Sequence, residues 1–181
     1  MPGGTSQGRD PSASVEELRS TIFGAPEHSG LHVFATFLFT HNSQVAMLCY
    51  ALGFAFGLPT MMLVTYQGLS FGALAAVFAA KGLPVDFLGW FAIHGPTELF
   101  AIIIAGAAGL RIGTAFAFPG HRSRLAASAE AGRQTGAVMI GVVLMLLVAG
   151  CLEGFGRQMI QSTAIRYTVG GIMLTIWLVY F

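Results

Sequence analysis

Long apolar runs separated by short polar segments make up most of the chain. Residues 29–79 contain no Asp, Glu, Lys or Arg, and residues 134–152 and 167–181 are two further runs without charge. A helix needs about 20 predominantly apolar residues to cross a bilayer. The pattern predicts an all-α fold, a polytopic transmembrane helical bundle with about five spans and short interfacial helices. The spans are expected at residues 43–66, 69–80, 97–118, 135–152 and 163–181.

The segments outside these runs predict elements near the membrane surface. Within the first span, Pro59 removes a backbone donor, so we expect a kink near Ala55. The expected surface elements are an interfacial helix at residues 31–42, a turn at 66–68, an amphipathic segment at 84–94, a polar helix at 121–134 and a polar connection at 153–162.

Residues 1–30 predict a polar N-terminal tail or external loop that contains a short helix. Ser12 or Ser14 is expected to cap this helix, and Glu16 and Glu17 fall in its first turn.

Residues 31–181 are expected to form the transmembrane helical domain. A basic loop at 119–133 collects Arg122, Arg124 and Arg133, and the positive-inside rule places such a loop in the cytoplasm. This orientation puts the N-terminal tail outside. The expected location is the bacterial inner membrane, crossed several times.

Charge content excludes one class of function. Only 9% of the residues are charged and the formal net charge is +1, so the chain has no basic surface of the kind that binds nucleic acid. The hydrophobic share of 55% makes the lipid bilayer the expected environment.

Small residues recur four positions apart, a spacing that lets membrane helices approach closely. We expect them to serve internal packing more than dimerisation, although an oligomer is possible. The positions expected at helix contacts or breaks are Gly53, Gly57, Pro59, Gly68, Gly72, Gly95, Pro96, Gly106, Gly109 and Gly113.

Polar residues within or beside the spans are candidate site residues, because ionisable groups in lipid are costly and usually pair. His94 and Glu98 are the densest pair, since their four-residue spacing places both side chains on one helix face. The predicted intramembrane network is His41, Asn42, Gln67, His94, Glu98, Arg111, Glu153 and Arg157.

Three hypotheses remain open for this network. The first is a structural network that fixes helix register, and the second is a proton or ligand pathway in a transporter. The third is a metal site built from His41, His94 and Glu98 in an intramembrane hydrolase. The chain contains no HExxH zinc motif, which makes the third hypothesis the weakest. The sequence therefore predicts no catalytic residue, no metal and no cofactor, and the protein is not expected to be an enzyme.

The ordered segments FLFTHNSQVAM, GFAFGLPT, YQGLSFGA, HGPTELFAIIIAGAAGLRIG and FPGHRSR resemble the stage II sporulation protein M family. The resemblance implies an all-helical membrane protein that, in endospore formers, recruits peptidoglycan-degrading partners to the septal membrane. Some relatives are encoded beside a MoxR-type ATPase. It also implies that the family's N-terminal region and first span are missing ahead of residue 1. The matching positions, none with an established catalytic role, are His41, Asn42, Gly68, His94, Gly95, Glu98, Gly106, Gly109, Pro119 and Gly120.

Residues and resemblance together predict a scaffold or assembly partner of an envelope-remodelling, peptidoglycan-remodelling or ATPase-linked complex. The expected protein partners are peptidoglycan hydrolases or a MoxR-type ATPase system. The alternative is a permease-like transport component that uses the intramembrane His94 and Glu98.

Overall fold

The computed structural model describes residues 9, 11–23, 31–156 and 159–180. These residues form seven α-helices and no β-strand, which confirms the predicted all-α fold. A 3-10 turn at Leu52–Phe54 follows the second helix, and a π-helical turn at Leu152–Gly156 continues the sixth. The helices are α1 (Val15–Phe23), α2 (Leu31–Ala51), α3 (Leu58–Ala80), α4 (Pro84–Ala92), α5 (Gly95–Ala117), α6 (Arg124–Cys151) and α7 (Thr163–Tyr180).

Four helical segments of the described chain have the length and hydropathy of membrane spans. The polar run 41–44 lies at the centre of α2, which has 21 residues and is not among the four. The predicted transmembrane helical bundle is thus confirmed. The segments long and apolar enough to cross a bilayer are Leu58–Ala80, Gly95–Ala117, Arg124–Gly156 and Thr163–Tyr180.

The first two predicted spans have different boundaries in the structure. Residues 31–42, expected as a separate interfacial helix, are the first part of the continuous helix α2. The turn expected at 66–68 lies inside α3, which runs without interruption to Ala80 and replaces the predicted short span at 69–80.

Pro59 marks a helix start and not the predicted kink. The chain turns between α2 and α3, where Phe56 and Gly57 adopt positive φ angles of 59° and 74°. Pro59 then lies in the first turn of α3. A first-turn N–H has no partner within the helix, so proline is tolerated there and its fixed φ favours the helix.

α6 joins two elements that the sequence predicts to be separate. The polar residues 121–134 were expected on the surface and the span only from 135, but α6 begins at Arg124 and includes both. No proline interrupts residues 124–151, and the Oγ of Ser123 caps the helix by accepting a hydrogen bond from Ala126 N at 3.2 Å.

The short helix α1 forms as predicted, with Ser14 as its cap. Ser14 Oγ accepts a hydrogen bond from Glu17 N at 3.1 Å, and the Glu17 carboxylate accepts one from Ser14 N at 2.7 Å. This reciprocal pair is a capping box. The apolar face of α1 is buried in a cluster with α3, α4 and the intervening turn, formed by Leu18, Ile22, Phe78, Leu83, Phe87 and Trp90.

α5 is the most buried of the spanning helices. In its most apolar stretch 44% of the residues are buried, against 6% for α3. Small side chains on α5 allow α2 and α6 to approach it closely. The central core consists of Ala46 and Cys49 from α2, Ala101, Ala105 and Ala108 from α5, and Met139, Val142, Met145 and Leu146 from α6.

Four predicted packing glycines lie where the turn after α2 meets α5. A Cβ atom on Gly53 would collide with the carbonyl group of Gly109, and one on Gly113 would collide with the backbone nitrogen of Gly57. These are backbone atoms and cannot rotate away. The absence of side chains at these positions is therefore what allows the close approach.

The other predicted packing glycines on α3 and α5 behave differently from one another. A Cβ atom on Gly106 would lie 3.0 Å from Val64 Cγ2, which is a close internal contact. Gly68 and Gly72 on α3 face open space, with no atom within 4 Å of the added Cβ. The internal packing expected at Gly68 and Gly72 is therefore not found among the described residues.

Replacement of Thr60 by valine is expected to lower the free energy of unfolding by about 1 kcal/mol. Thr60 is fully buried, and its Oγ1 donates a 2.7 Å hydrogen bond to the carbonyl oxygen of Cys49, near the C-terminal end of α2. Valine keeps the shape but leaves this carbonyl without that donor. Detergent denaturation checks the prediction, with exposed Thr168→Val as the control; equal effects of the two substitutions would contradict it.

Candidate functional site

His94 lies at the break between α4 and α5, one residue before α5 begins. Pro96 occupies the first turn of α5. The ring of Phe91 fills the space that a side chain on Gly95 would need. His94 is 3% exposed. Its ring makes edge contacts with the rings of Trp90 and Phe91, at centroid distances of 5.3 and 5.4 Å. The break thus holds an imidazole inside an aromatic pocket.

Glu153 reaches the same place from the π-helical turn that continues α6. Glu153 is 6% exposed, although the sequence predicts a polar connection here. The neighbouring Gly154 packs directly on Ala35 of α2, which holds the turn against the bundle. Glu153 Oε2 lies 3.6 Å from His94 Nε2. A π-helical turn inside or at the end of an α-helix frequently marks a functional position.

Glu98 completes a three-residue cluster, which we call the His-Glu-Glu cluster: His94, Glu98 and Glu153. Glu98 is half-buried, and its backbone N–H donates to the carbonyl of His94 at 3.1 Å, so it stands one helical turn after the histidine. One nitrogen or carboxylate oxygen from each of the three residues lies within 4.8 Å of the other two.

The His-Glu-Glu cluster sits where α5 begins and α6 ends. At the other end of the same helix pair, Arg111 Nη2 donates a 2.9 Å hydrogen bond to Gln134 Oε1. The two contacts show that α5 and α6 run antiparallel, so residues distant in sequence meet at each end. The cluster fastens one end of this pair.

The charge balance of the His-Glu-Glu cluster favours a positively charged partner. Two carboxylates and one imidazole carry at least one net negative charge unless a carboxylate is protonated. An uncompensated charge away from water is strongly unfavourable. The arrangement can therefore hold a proton or a cation between the two carboxylates.

Next to the cluster, Trp177 of α7 joins the start of α5. Its Nε1 donates a 2.9 Å hydrogen bond to Oγ1 of Thr97, which is fully buried. Thr97 is not among the predicted site residues. No sequence pattern marks it as the partner of a tryptophan 80 positions away in the chain.

Two other predicted network residues, His41 and Arg111, contact partners outside the His-Glu-Glu cluster. His41 is exposed on α2 and stacks on Phe37 at 6.1 Å, and the group of possible metal ligands found among the described residues does not include it. Asn42 and Gln67 are half-buried on α2 and α3. Arg111 is exposed and bonded to Gln134.

Arg157, the last predicted member of the network, lies outside the described residues. A different arginine, Arg166 of α7, is fully buried. Its Nε donates a 2.8 Å hydrogen bond to the carbonyl of Ile160, and its guanidinium lies 4.8 Å from the ring centroid of Phe23. Arg166 therefore ties α7 to α1.

The helical bundle, its apolar spans and the buried polar cluster define an integral membrane protein. The family model described as stage II sporulation protein M matches residues 6–156. The chain therefore belongs to the stage II sporulation protein M family. The matched region contains all three members of the His-Glu-Glu cluster. No curated protein and no solved structure matches the chain.

Proposed function

We propose that the protein is a non-enzymatic scaffold in the bacterial inner membrane. It holds a peptidoglycan hydrolase or a MoxR-type ATPase system in an envelope-remodelling complex. Membership of the stage II sporulation protein M family supports the proposal. The observation that carries it is the low burial of α3, an apolar helix that the described residues leave largely uncovered.

α3 offers a face suited to another transmembrane helix. Only 6% of its most apolar stretch is buried, and Gly68 and Gly72 stand one turn apart with open space above them. Between helices in lipid, attraction comes from close van der Waals packing, which paired small residues permit. The proposed occupant is a transmembrane helix of the partner complex.

Affinity purification from gently solubilised native membranes tests the scaffold. We expect a peptidoglycan hydrolase or a MoxR-type ATPase to copurify in stoichiometric amount. The double substitution Gly68→Leu and Gly72→Leu is expected to lower its recovery about tenfold, a loss that corresponds to about 1.4 kcal/mol. The matched control places leucine at Gly141 and Gly171, which also face open space on α6 and α7.

Two results would contradict this proposal. An equal loss of partner in the control would remove α3 as the docking face. A transport-type nucleotide-binding subunit in place of the expected partner, or no partner at all, would favour a permease.

A permease-like transport component is the second candidate function. The His-Glu-Glu cluster beside the helix break at Gly95 and Pro96 favours it, because ionisable groups inside membrane proteins mark substrate and proton pathways. For this function, Glu98→Gln is expected to leave yield and melting temperature unchanged while failing to complement a deletion strain. Loss of yield or melting temperature would instead indicate a structural role for Glu98.

A further inference from the structure

We propose that His94, Glu98 and Glu153 form a binding site for one divalent transition-metal ion of the zinc class. The site goes beyond the scaffold function, because it concerns what joins the start of α5 to the end of α6, whichever partner α3 binds. Zinc ions bind imidazole nitrogen and carboxylate oxygen, so the three residue types are suitable ligands.

The spacing of the three side chains suits a single ion. In a tetrahedral zinc site with bond lengths near 2.1 Å, neighbouring ligand atoms are about 3.4 Å apart. His94 Nε2 and Glu153 Oε2 are already 3.6 Å apart. All three ligand atoms lie within 4.8 Å of one another, so small side-chain rotations bring Glu98 into the same shell. Three protein ligands leave one position for water.

Burial makes the site favourable for a cation. His94 and Glu153 are 3% and 6% exposed, and two carboxylates facing each other there repel when both are ionised. A divalent ion cancels the charge of both carboxylates and uses the imidazole as a neutral ligand. The ion would thereby balance the two carboxylates and link residues that are 59 positions apart in the chain, from 94 to 153.

Neighbouring residues fix the positions of two of the proposed ligands, His94 and Glu153. His94 is held between the rings of Trp90 and Phe91, and the turn that carries Glu153 is fixed by the contact of Gly154 with Ala35. Packing that fixes ligand orientation strengthens metal binding. Because these contacts come from α2, α4 and the end of α6, the site depends on the folded bundle.

Zinc titration of the full chain in detergent tests the proposal. The protein is purified with a tag that contains no histidine, stripped with a chelator and titrated with zinc by equilibrium dialysis. We expect one ion per chain and a melting temperature about 5 °C higher with saturating zinc. Cobalt loading is expected to give the visible absorption bands of a tetrahedral site with nitrogen and oxygen ligands.

Glu98→Gln and Glu153→Gln are expected to weaken zinc binding by about 100-fold and to abolish the thermal shift. His41→Ala and Glu130→Gln, at positions outside the cluster, are the matched controls and are expected to bind as the wild type does. The wild-type stoichiometry keeps the test decisive even where a cluster variant does not fold.

Three outcomes would overturn the metal site. The first is wild-type protein that binds less than half an equivalent of zinc. The second is zinc binding lost in His41→Ala, which would indicate an adventitious surface site. The third is zinc binding unchanged in both Glu98→Gln and Glu153→Gln, after which a shared proton would be the partner of the two carboxylates. Failure of the metal site would leave the pull-down result, and with it the scaffold, untouched.

Discussion

Replacement of Gly109 by alanine is expected to lower the free energy of unfolding by about 3 kcal/mol, a large effect for one methyl group. The new Cβ atom would collide with the carbonyl oxygen of Cys49 and lie 3.2 Å from Thr60 Cγ2. The carbonyl belongs to the helix backbone, so relief requires α2 and α5 to separate. That separation would also disturb the central core, in which Cys49 and Ala105 are fully buried.

Gly72→Ala is the matched control for this prediction. Gly72 is also a helical glycine, but a methyl group there meets no atom within 4 Å. Alanine has the higher helix propensity, so Gly72→Ala is expected to be neutral or to stabilise by up to about 1 kcal/mol. Detergent denaturation followed by circular dichroism measures both variants. Similar stabilities for the two would contradict the close approach of α2 and α5.

Replacement of His94 by leucine is expected to cost about 3 kcal/mol or more, because it removes the imidazole that lies beside a buried carboxylate. Leucine is similar in size to histidine, so loss of volume contributes little. Glu153 would remain 6% exposed without the imidazole 3.6 Å away. Stability is measured in the presence of a chelator, so that the result does not depend on bound metal.

His41→Leu is the control for the histidine substitution, since His41 is exposed on α2. Substitutions at exposed positions usually change stability by no more than about 0.5 kcal/mol. Equal and small effects of His94→Leu and His41→Leu would show that the buried contact contributes nothing to folding.

Hydropathy predicted a span correctly where proline, glycine or a polar segment bounded the apolar run. α5 and α7 were predicted within about two residues because Pro96 opens the first, Pro119 and Gly120 follow it, and a polar segment precedes the second. A sequence pattern also marks the break before α3. Glycine followed two residues later by proline suits a helix start, and Gly57 and Pro59 have that spacing.

The prediction from polar composition was wrong at α6. The arginines and glutamate of residues 124–134 suggested a surface helix, but polarity does not end a helix when no proline or capping residue intervenes. The length of the segment without a helix-breaking residue would have predicted α6 better, since the helix continues past the polar residues into the span.

The candidate site was half predictable. The four-residue spacing made His94 and Glu98 neighbours, because local helix geometry alone determines it. The contact between His94 and Glu153 joins two distant helices, and it depends on a π-helical turn that no residue pattern announces. Tertiary packing of α5 against α6 decides it, so the sequence placed Glu153 in the polar network without identifying its partner.

The buried contact between His94 and Glu153, which joins the start of α5 to the end of α6, is the centre of this account. A double-mutant cycle with His94→Leu, Glu153→Gln and the double variant measures it most directly. We predict a coupling energy of about 1 to 3 kcal/mol, as expected for residues in contact. Effects that add within about 0.5 kcal/mol would contradict the contact and the site built on it.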